Sequence, residues 1–489
     1  MAKNIMLQGT MSNVGKSFLT AALCRIFRQD GYSCAPFKSQ NMALNSFITQ
    51  DGLEIGRAQA LQAEAAGIEP SALMNPILLK PTTDVGSQVI VNGQVRGNMR
   101  AADYFRHKKE LIPDILAAYD TLAAQYDIIV IEGAGSPVEL NLKADDIVNM
   151  GLAQLVRSPV LLVGDIDRGG VFAQLIGTLE LLEENERDMV KGLVVNKFRG
   201  DIGLFRDGIE ILEKRSEKTV AGVVPYIHCD LEDEDSLSEK LTARSAGGDI
   251  DIAVLRLPKI SNFTDLDVFG QYEGVSVRYV SRSSELSTPD MIVIPGTKST
   301  IADMKWLRES GLAEAVRECH SEGIPVFGIC GGYQIMGRSI ADPGGSECGG
   351  SIEGLGLLDC ETVFSSEKHQ TQVSGKFCKS DGFFSCLSGA EFYGYEVHMG
   401  VTADKGSPLT DCGGSFCDNA AGCYVHGIFD SAEVSGRLVK ALYRRKGLTY
   451  SGEAVDRRKY RDIQLDLLAD GVRKALDMEL IYRIIKEDV

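Results

Sequence analysis

Cys330 lies in Gly328-Ile-Cys330-Gly331-Gly332-Tyr-Gln334, where small residues on both sides let a strand turn sharply into a helix with the thiol at the turn. A helix N-terminus favours thiolate over thiol, so nucleophilic attack on a carbonyl is the chemistry such a cysteine serves. The N–H of Gly331 is placed to stabilise an oxyanion, and a second donor is expected from Gly296 at the end of another apolar run. The thiol needs a base. Of six histidines, His426 in Tyr424-Val425-His426-Gly427 follows an apolar run and has room beside its glycine. His398 in Gly394-Tyr-Glu396-Val-His398 is the rival; Glu396 and His398 otherwise line the site or orient its loops.

A second constellation opens the chain. Gly9-Thr10-Met-Ser-Asn-Val-Gly15-Lys16-Ser17 matches a phosphate-binding loop with one extra residue before Gly-Lys-Ser. Its glycines let backbone N–H groups turn inward around phosphate oxygens, Lys16 reaches the β/γ-phosphates and Ser17 ligates Mg²⁺. Glu132 and Asp165 each end an apolar run, which places hard oxygen ligands for Mg²⁺ at the carboxyl edge of a sheet. Lys38, after the run Ser33–Phe37, is suited to neutralising a transferring phosphoryl group. Asn196-Lys197, at the end of Gly192–Val195, is expected to read a purine ring, although Arg199 stands where the fuller base-reading motif has Asp.

These residues need elements to hold them. Asn4–Leu7, Asp127–Ile131, Pro159–Val163 and Gly192–Val195 read as strands, and Ser17–Gln29 carries apolar residues at helical spacing. Alternating strands and helices predict an α/β fold, a parallel sheet with helices on both faces. The pattern breaks at Asp230–Gly248, acidic at first and closed by Ala-Gly-Gly, a linker composition. Ile250–Leu257, Val275–Val280, Met291–Ile294 and Pro325–Ile329 then predict a second α/β region, with one helix through Ala302–Glu322. Residues 341–425 predict strands and loops, and Ile463–Lys486 a docked helix with Leu468, Val472, Leu476, Leu480, Ile481, Ile484 and Ile485 on one face. The expected division is 1–230, a linker at 231–249, 250–440, and a helical extension at 441–489.

Composition excludes several classes. The 489 residues carry 51 Lys and Arg against 68 Asp and Glu, a net charge of −17 that disfavours nonspecific nucleic-acid or anionic-lipid binding. The longest run without a charged residue, Gly323–Gly337, falls short of the ~18 residues a spanning helix needs. No signal peptide is evident, and a cytoplasmic location is expected. The twelve cysteines contain no Cys-x-x-Cys pair, so free thiols are expected, Cys412, Cys417 and Cys423 included.

Read together, the motifs resemble the cobyric acid synthase family, the glutamine-dependent amidotransferases of cobalamin biosynthesis. The resemblance covers nearly the whole chain. It rests on Gln8-Gly-Thr10 with Gly15-Lys16-Ser17, Ala35-Pro-Phe-Lys38, Gln40-Asn-Met-Ala-Leu-Asn45 and Glu54-Ile-Gly-Arg-Ala-Gln-Ala-Leu-Gln62. Met74-Asn-Pro76, Leu78-Leu-Lys-Pro81, Gly86-Ser-Gln88, Glu132-Gly-Ala-Gly-Ser136, Asp165-Ile-Asp-Arg-Gly-Gly170 and the thiol-end motifs complete it. The block from Gln40 to Gln88 resembles the family's substrate- and nucleotide-binding surface.

The resemblance implies an N-terminal domain similar to dethiobiotin synthetase and a C-terminal class I (triad-type) glutaminase domain with Cys330 and His426 as its pair. Most class I glutaminases carry Glu two residues after the histidine; this chain has Ile428, so a dyad is implied and the residue orienting His426 is unassigned. ATP and glutamine are the implied co-substrates, and the corrinoid adenosylcobyrinic acid a,c-diamide is the implied acceptor, amidated at its b, d, e and g side chains. Arg57 and Arg100 are candidates for gripping its carboxylates. The alternatives are the sister enzyme that amidates the a and c positions of cobyrinic acid, and a nucleotide-switch ATPase with a vestigial glutaminase domain. Against the switch, Met11 stands where such proteins need a lysine.

Overall fold

Six apolar runs of the first half form one parallel sheet: β1 Lys3–Gly9, β2 Cys34–Phe37, β3 Ile128–Glu132, β4 Val160–Asp165, β5 Val190–Phe198 and β6 Val220–Pro225. Their spatial order is β6-β5-β4-β1-β3-β2. Successive side chains point to opposite faces, and both faces are covered. Met6, Ile129, Ile131, Leu162 and Val195 enter one core, whereas Ile5, Leu7, Val130, Leu161 and Val163 enter the other. Helix α1, Lys16–Gln29, lies in the second core through Leu19, Leu23, Ile26 and Phe27. The strand order reverses around central β1, so the crevice outside its carboxyl end is where such a sheet binds ligands.

This computed structural model describes residues 2–83, 86–231 and 247–486. Most of the expected linker, with its acidic residues from Glu232 to Asp235, lies outside the described residues. The chain divides into two units: Met1–Met42, Glu54–Leu231 and the described residues from Arg461 on form the first; Ala43–Leu53 joins the described residues 247–460 in the second. Sequence alone expected the tail to extend the second domain. Instead, Leu468, Val472, Ile481, Ile484 and Ile485 bury in the same core as α1, and Arg25 bonds Asp466 at 2.8 Å. The tail is also two helices, Arg457–Ala475 and Met478–Lys486, not one.

Outside the main sheet, the first unit holds a second one formed by Gln40–Met42, Ile77–Thr83, Gly86–Val91 and Gln94–Arg100. Helix α2, Arg57–Ala66, packs against α1. The polar residues here are largely internal: Lys80 and Glu54 form a buried ion pair at 2.8 Å, and Asn41 donates to Gln59 at 3.0 Å.

The second unit contains β7 Ile250–Leu255, β8 Val275–Val280, β9 Met291–Ile294, β10 Val326–Ile329, β11 Cys360–Lys376, β12 Glu391–Asp404, β13 Ser407–Thr410, β14 Gly413–Cys417 and β15 Ala420–Cys423. Its main sheet has the order β8-β7-β9-β10-β15-β14-β13, parallel as far as β15 and antiparallel beyond. Strands β11 and β12 pair antiparallel in a separate sheet. The single helix expected over Ala302–Glu322 is two, Thr300–Glu309 and Leu312–Ser321. Gly311, at φ 74°, takes the left-handed conformation that separates them. The segment Ala43–Leu53 lies along β12, with Ile48 buried against Tyr395 and Val397 and the Tyr395 hydroxyl donating to the Ser46 carbonyl at 2.9 Å.

Candidate active sites

The loop between β1 and α1 is shaped by contacts that tolerate no extra atoms. Gly15 has φ 94°, and a Cβ there would run into the Asn196 carboxamide. That carboxamide donates to the Val14 carbonyl at 2.7 Å, so Asn196 braces the loop from the end of β5. Lys16 Nζ donates to the carbonyls of Met11 and Gly135, each at 3.1 Å, which folds its ammonium over the loop. Thr10 Oγ1 donates to Gln174 Oε1 at 3.1 Å.

Glu132, at the end of β3, gathers three donors around one buried carboxylate. Lys38 Nζ lies 2.9 Å and Ser17 Oγ 2.8 Å from Oε1, and Gln62 Nε2 donates to Oε2 at 2.5 Å. Burial opposes ionisation, but the Lys38 ammonium and these hydrogen bonds outweigh it and hold the carboxyl below its ordinary range. Asp165, at the end of β4, is equally buried and pairs with Lys197 at 3.0 Å. Gln62 and Lys197 were not expected as partners; Gln62 sits in the polar block that carried the family resemblance. Ser17, Glu132 and Asp165 supply the hard oxygen donors that Mg²⁺ takes, one hydroxyl and two carboxylates, with Ser17 and Glu132 already in contact. The donor set fits that ion. Arg199, where an Asp was sought, lies 3.7 Å over the Tyr226 ring and pairs with Asp167 at 2.7 Å. Arg57 is buried and Arg100 exposed.

In the second unit, Cys330 lies between β10 and helix α3, Gly331–Met336, with φ 51° and ψ −109°. A non-glycine residue held there is strained, as expected of a nucleophile elbow. The glycines permit it, since a Cβ on Gly332 would overlap the Ile294 carbonyl. As the first residue of α3, Gly331 has an N–H without an intrahelical acceptor. Gly296 packs against the His426 ring, whose Cε1 would lie 2.9 Å from an added Cβ.

The His426 imidazole lies within electrostatic reach of the Cys330 thiol, which itself donates to the Val397 carbonyl at 3.6 Å. The His426 backbone exchanges two hydrogen bonds with Tyr395, and the Tyr395 ring stacks on the imidazole at 5.4 Å. Its Nδ1 lies 2.7 Å from Asp265 Oδ2, and Asp265 Oδ1 accepts the Gly427 N–H at 2.9 Å. Burial disfavours the imidazolium, yet the charges of Asp265 and Cys330 outweigh it and push the His426 pKa up to about 10. Thiol, imidazole and carboxylate thus form a chain able to hold a thiolate–imidazolium pair. Asp265 supplies the orienting group left unassigned from sequence. The rival His398 bonds instead through Nδ1 to the Gly400 carbonyl at 2.8 Å.

All twelve cysteines are free, and among the described residues Cys412, Cys417 and Cys423 gather into no metal-ligand cluster. Among the described residues, no helix is long and apolar enough to cross a membrane.

Comparison with known proteins matches residues 5–236 to a family described as the CobQ/CobB/MinD/ParA nucleotide binding domain. Residues 251–434 match the CobB/CobQ-like glutamine amidotransferase domain. Over its full length, the chain is 54% identical to a cobyric acid synthase of Lachnoclostridium phytofermentans, all of which is covered. The cobyric acid synthase of Ruminiclostridium cellulolyticum is 53% identical over all of this chain and 98% of its own. That of Dehalococcoides mccartyi is 50% identical, with both chains covered completely.

Proposed function

The chain belongs to the cobyric acid synthase family of glutamine-dependent amidoligases, and on that premise we propose that it amidates the b, d, e and g carboxylates of adenosylcobyrinic acid a,c-diamide, using ATP and ammonia released from glutamine. One observation carries the reading: the Cys330–His426–Asp265 chain belongs to a polypeptide whose other unit presents a phosphate loop over a buried carboxylate.

Cys330 attacks the glutamine amide carbon as its proton rests on His426. The N–H groups of Gly331 and Gly296 receive the developing oxyanion. His426 protonates the departing ammonia, and water hydrolyses the thioester to glutamate. Asp265 holds the imidazole with Nε2 toward the thiol and stabilises its cationic form.

A carboxylate resists attack by ammonia because negative charge shields its carbon. Transfer of the γ-phosphoryl group of ATP makes an acyl phosphate, which ammonia then displaces. Gly9, Thr10 and Gly15 shape the loop around the phosphates, and Lys16 and Lys38 offset charge on the transferring group. Asn196 holds the loop through the Val14 carbonyl and would contact the base. Ser17, Glu132 and Asp165 would hold Mg²⁺, which would supply electrostatic stabilisation of the phosphates. Twelve free thiols suit a reducing, cytoplasmic setting.

The test follows amide incorporation by product mass with the a,c-diamide, ATP and either glutamine or ammonia. Wild type adds four amides from either source, and Cys330→Ala does so from ammonia alone. Turnover on cobyrinic acid with no mass change on the diamide would refute the acceptor assignment.

A further inference from the structure

Beside the thiol lies a group of side chains that the amidation chemistry leaves unused. Glu396 and His398 stand two residues apart on β12 and so share one face of the strand. His369 on β11 is paired directly opposite His398, just after a register shift in the ladder, and so adds its ring to the same face. Glu396 Oε2 lies 3.3 Å from His369 Nε2 and 3.6 Å from His398 Nε2, and all three ligand atoms fall within 4.8 Å of one another.

The tautomer of His398 is fixed by its surroundings. Nδ1 faces the Gly400 carbonyl at 2.8 Å, a group that can only accept, so Nδ1 carries the proton. With the proton on Nδ1, the Nε2 lone pair is directed at Glu396. That nitrogen is buried and, among the described residues, has no hydrogen-bond partner. A buried, oriented, unpartnered imidazole nitrogen is what a metal ligand requires, and the carbonyl on its other nitrogen is the usual outer-shell support. The Tyr424 ring, stacked on His398 at 3.6 Å, further limits its rotation.

The geometry points to a site for a divalent first-row transition ion of the zinc type, held by His369 Nε2, Glu396 Oε2 and His398 Nε2. Ligands about 2.0–2.1 Å from a tetrahedral centre stand about 3.3 Å apart, which the two measured separations already approach. Two imidazoles and one carboxylate form a donor set for zinc, with a fourth position left to water. Mg²⁺, which prefers oxygen ligands, is a poor match. His369 is 56% exposed and provides the entry side. The ion would clip β11 to β12 around Val397, whose carbonyl lies 3.6 Å from the Cys330 sulfur. The site is independent of the proposed acceptor and of ATP.

The test is Zn²⁺ binding by the full chain, stripped of metal and titrated against a chromophoric chelator, with Co²⁺ as a spectroscopic substitute. Loss of an outer-shell group alone lowers metal affinity about 10–100-fold, so loss of a ligand in His369→Ala or Glu396→Gln should cost about 100-fold or more. Cys330→Ala should bind as wild type does, and Co²⁺ should show d–d bands without thiolate charge transfer. Circular dichroism of His369→Ala, altered at an exposed position, controls for folding. No binding by wild type, binding by both ligand variants as tight as wild type, or a thiolate signature would overturn the assignment.

Discussion

Asp265 Oδ2 lies 2.7 Å from His426 Nδ1 although 161 residues separate them, and the second oxygen of the same carboxylate accepts the Gly427 N–H. Both oxygens are therefore committed to fixing one imidazole. Asp265→Asn retains the shape but removes the charge and lets the amide donate, so it favours the wrong tautomer. Glutamine-dependent amidation should fall about 10²–10⁴-fold, with the ammonia-dependent reaction intact. Loss in kcat with little change in glutamine KM, and slower alkylation of Cys330 near pH 7, would mark positioning; equal loss with both nitrogen sources would contradict it.

The same pair predicts a pH dependence of stability. Against burial, which disfavours the cation, the charges of Asp265 and Cys330 raise the His426 pKa from its ordinary 6.5 to about 10. The folded protein then binds a proton that the unfolded chain releases between those values. This contribution is complete below about pH 6.5 and is lost as pH rises toward about 10. The thermal midpoint of the wild type should fall across that interval, and Asp265→Asn should flatten the slope. An unchanged slope in the variant would place the titration elsewhere.

Sequence made the two ends of the chemistry legible because each is a short contiguous segment with its own backbone demand. The Gly9–Ser17 loop and the Cys330 elbow need glycines at fixed offsets, and apolar runs announce the strands that precede them. Asp265 had no such marker. It lies in the 3₁₀ segment Phe263–Gln271, outside the strand pattern, and reaches His426 only through tertiary packing. The block from Gln40 to Gln88 read as one binding surface, yet within it Met42 and Asn45 belong to different units. Likewise, the apolar face of the tail was visible, but its partner was not. Periodicity shows that a face must be buried and says nothing of which core receives it.

Lys38 and Glu132 offer a test of the phosphate site. Both are buried, and removing Lys38 takes away the cation that offsets the Glu132 charge. Lys38→Met should destabilise the first unit by about 3–5 kcal/mol and abolish synthesis from glutamine and ammonia alike, while glutamine hydrolysis persists. Because the Glu132 carboxyl is held below its ordinary value, the stability it contributes is present above that value and lost as pH falls through its lowered pKa. Lys38→Met should weaken that acid sensitivity. Measuring denaturation alongside both half-reactions separates a folding defect from a phosphoryl-transfer defect.

Asn45 connects the segment Ala43–Leu53 to the glutaminase chemistry. Its Oδ1 accepts the Asn262 N–H at 2.8 Å, and Asn262 Oδ1 accepts the Ser46 N–H at 2.9 Å. All three residues are buried, and Asn262, with φ 50°, caps the 3₁₀ segment that carries Asp265 three positions later. Asn45→Ala leaves the Asn262 N–H without that acceptor, at a cost of about 1–3 kcal/mol. If this reciprocal pair sets the height of Asp265 against His426, the variant should lose about tenfold or more in glutamine hydrolysis, chiefly in kcat. Its alkylation pH profile should shift toward that of Asp265→Asn, while ammonia-dependent synthesis stays near wild type. Asn45→Asp, which keeps the accepting oxygen, should recover most of the loss. A variant with normal hydrolysis and impaired ammonia-dependent synthesis would instead assign Asn45 to the corrinoid or nucleotide half of the reaction.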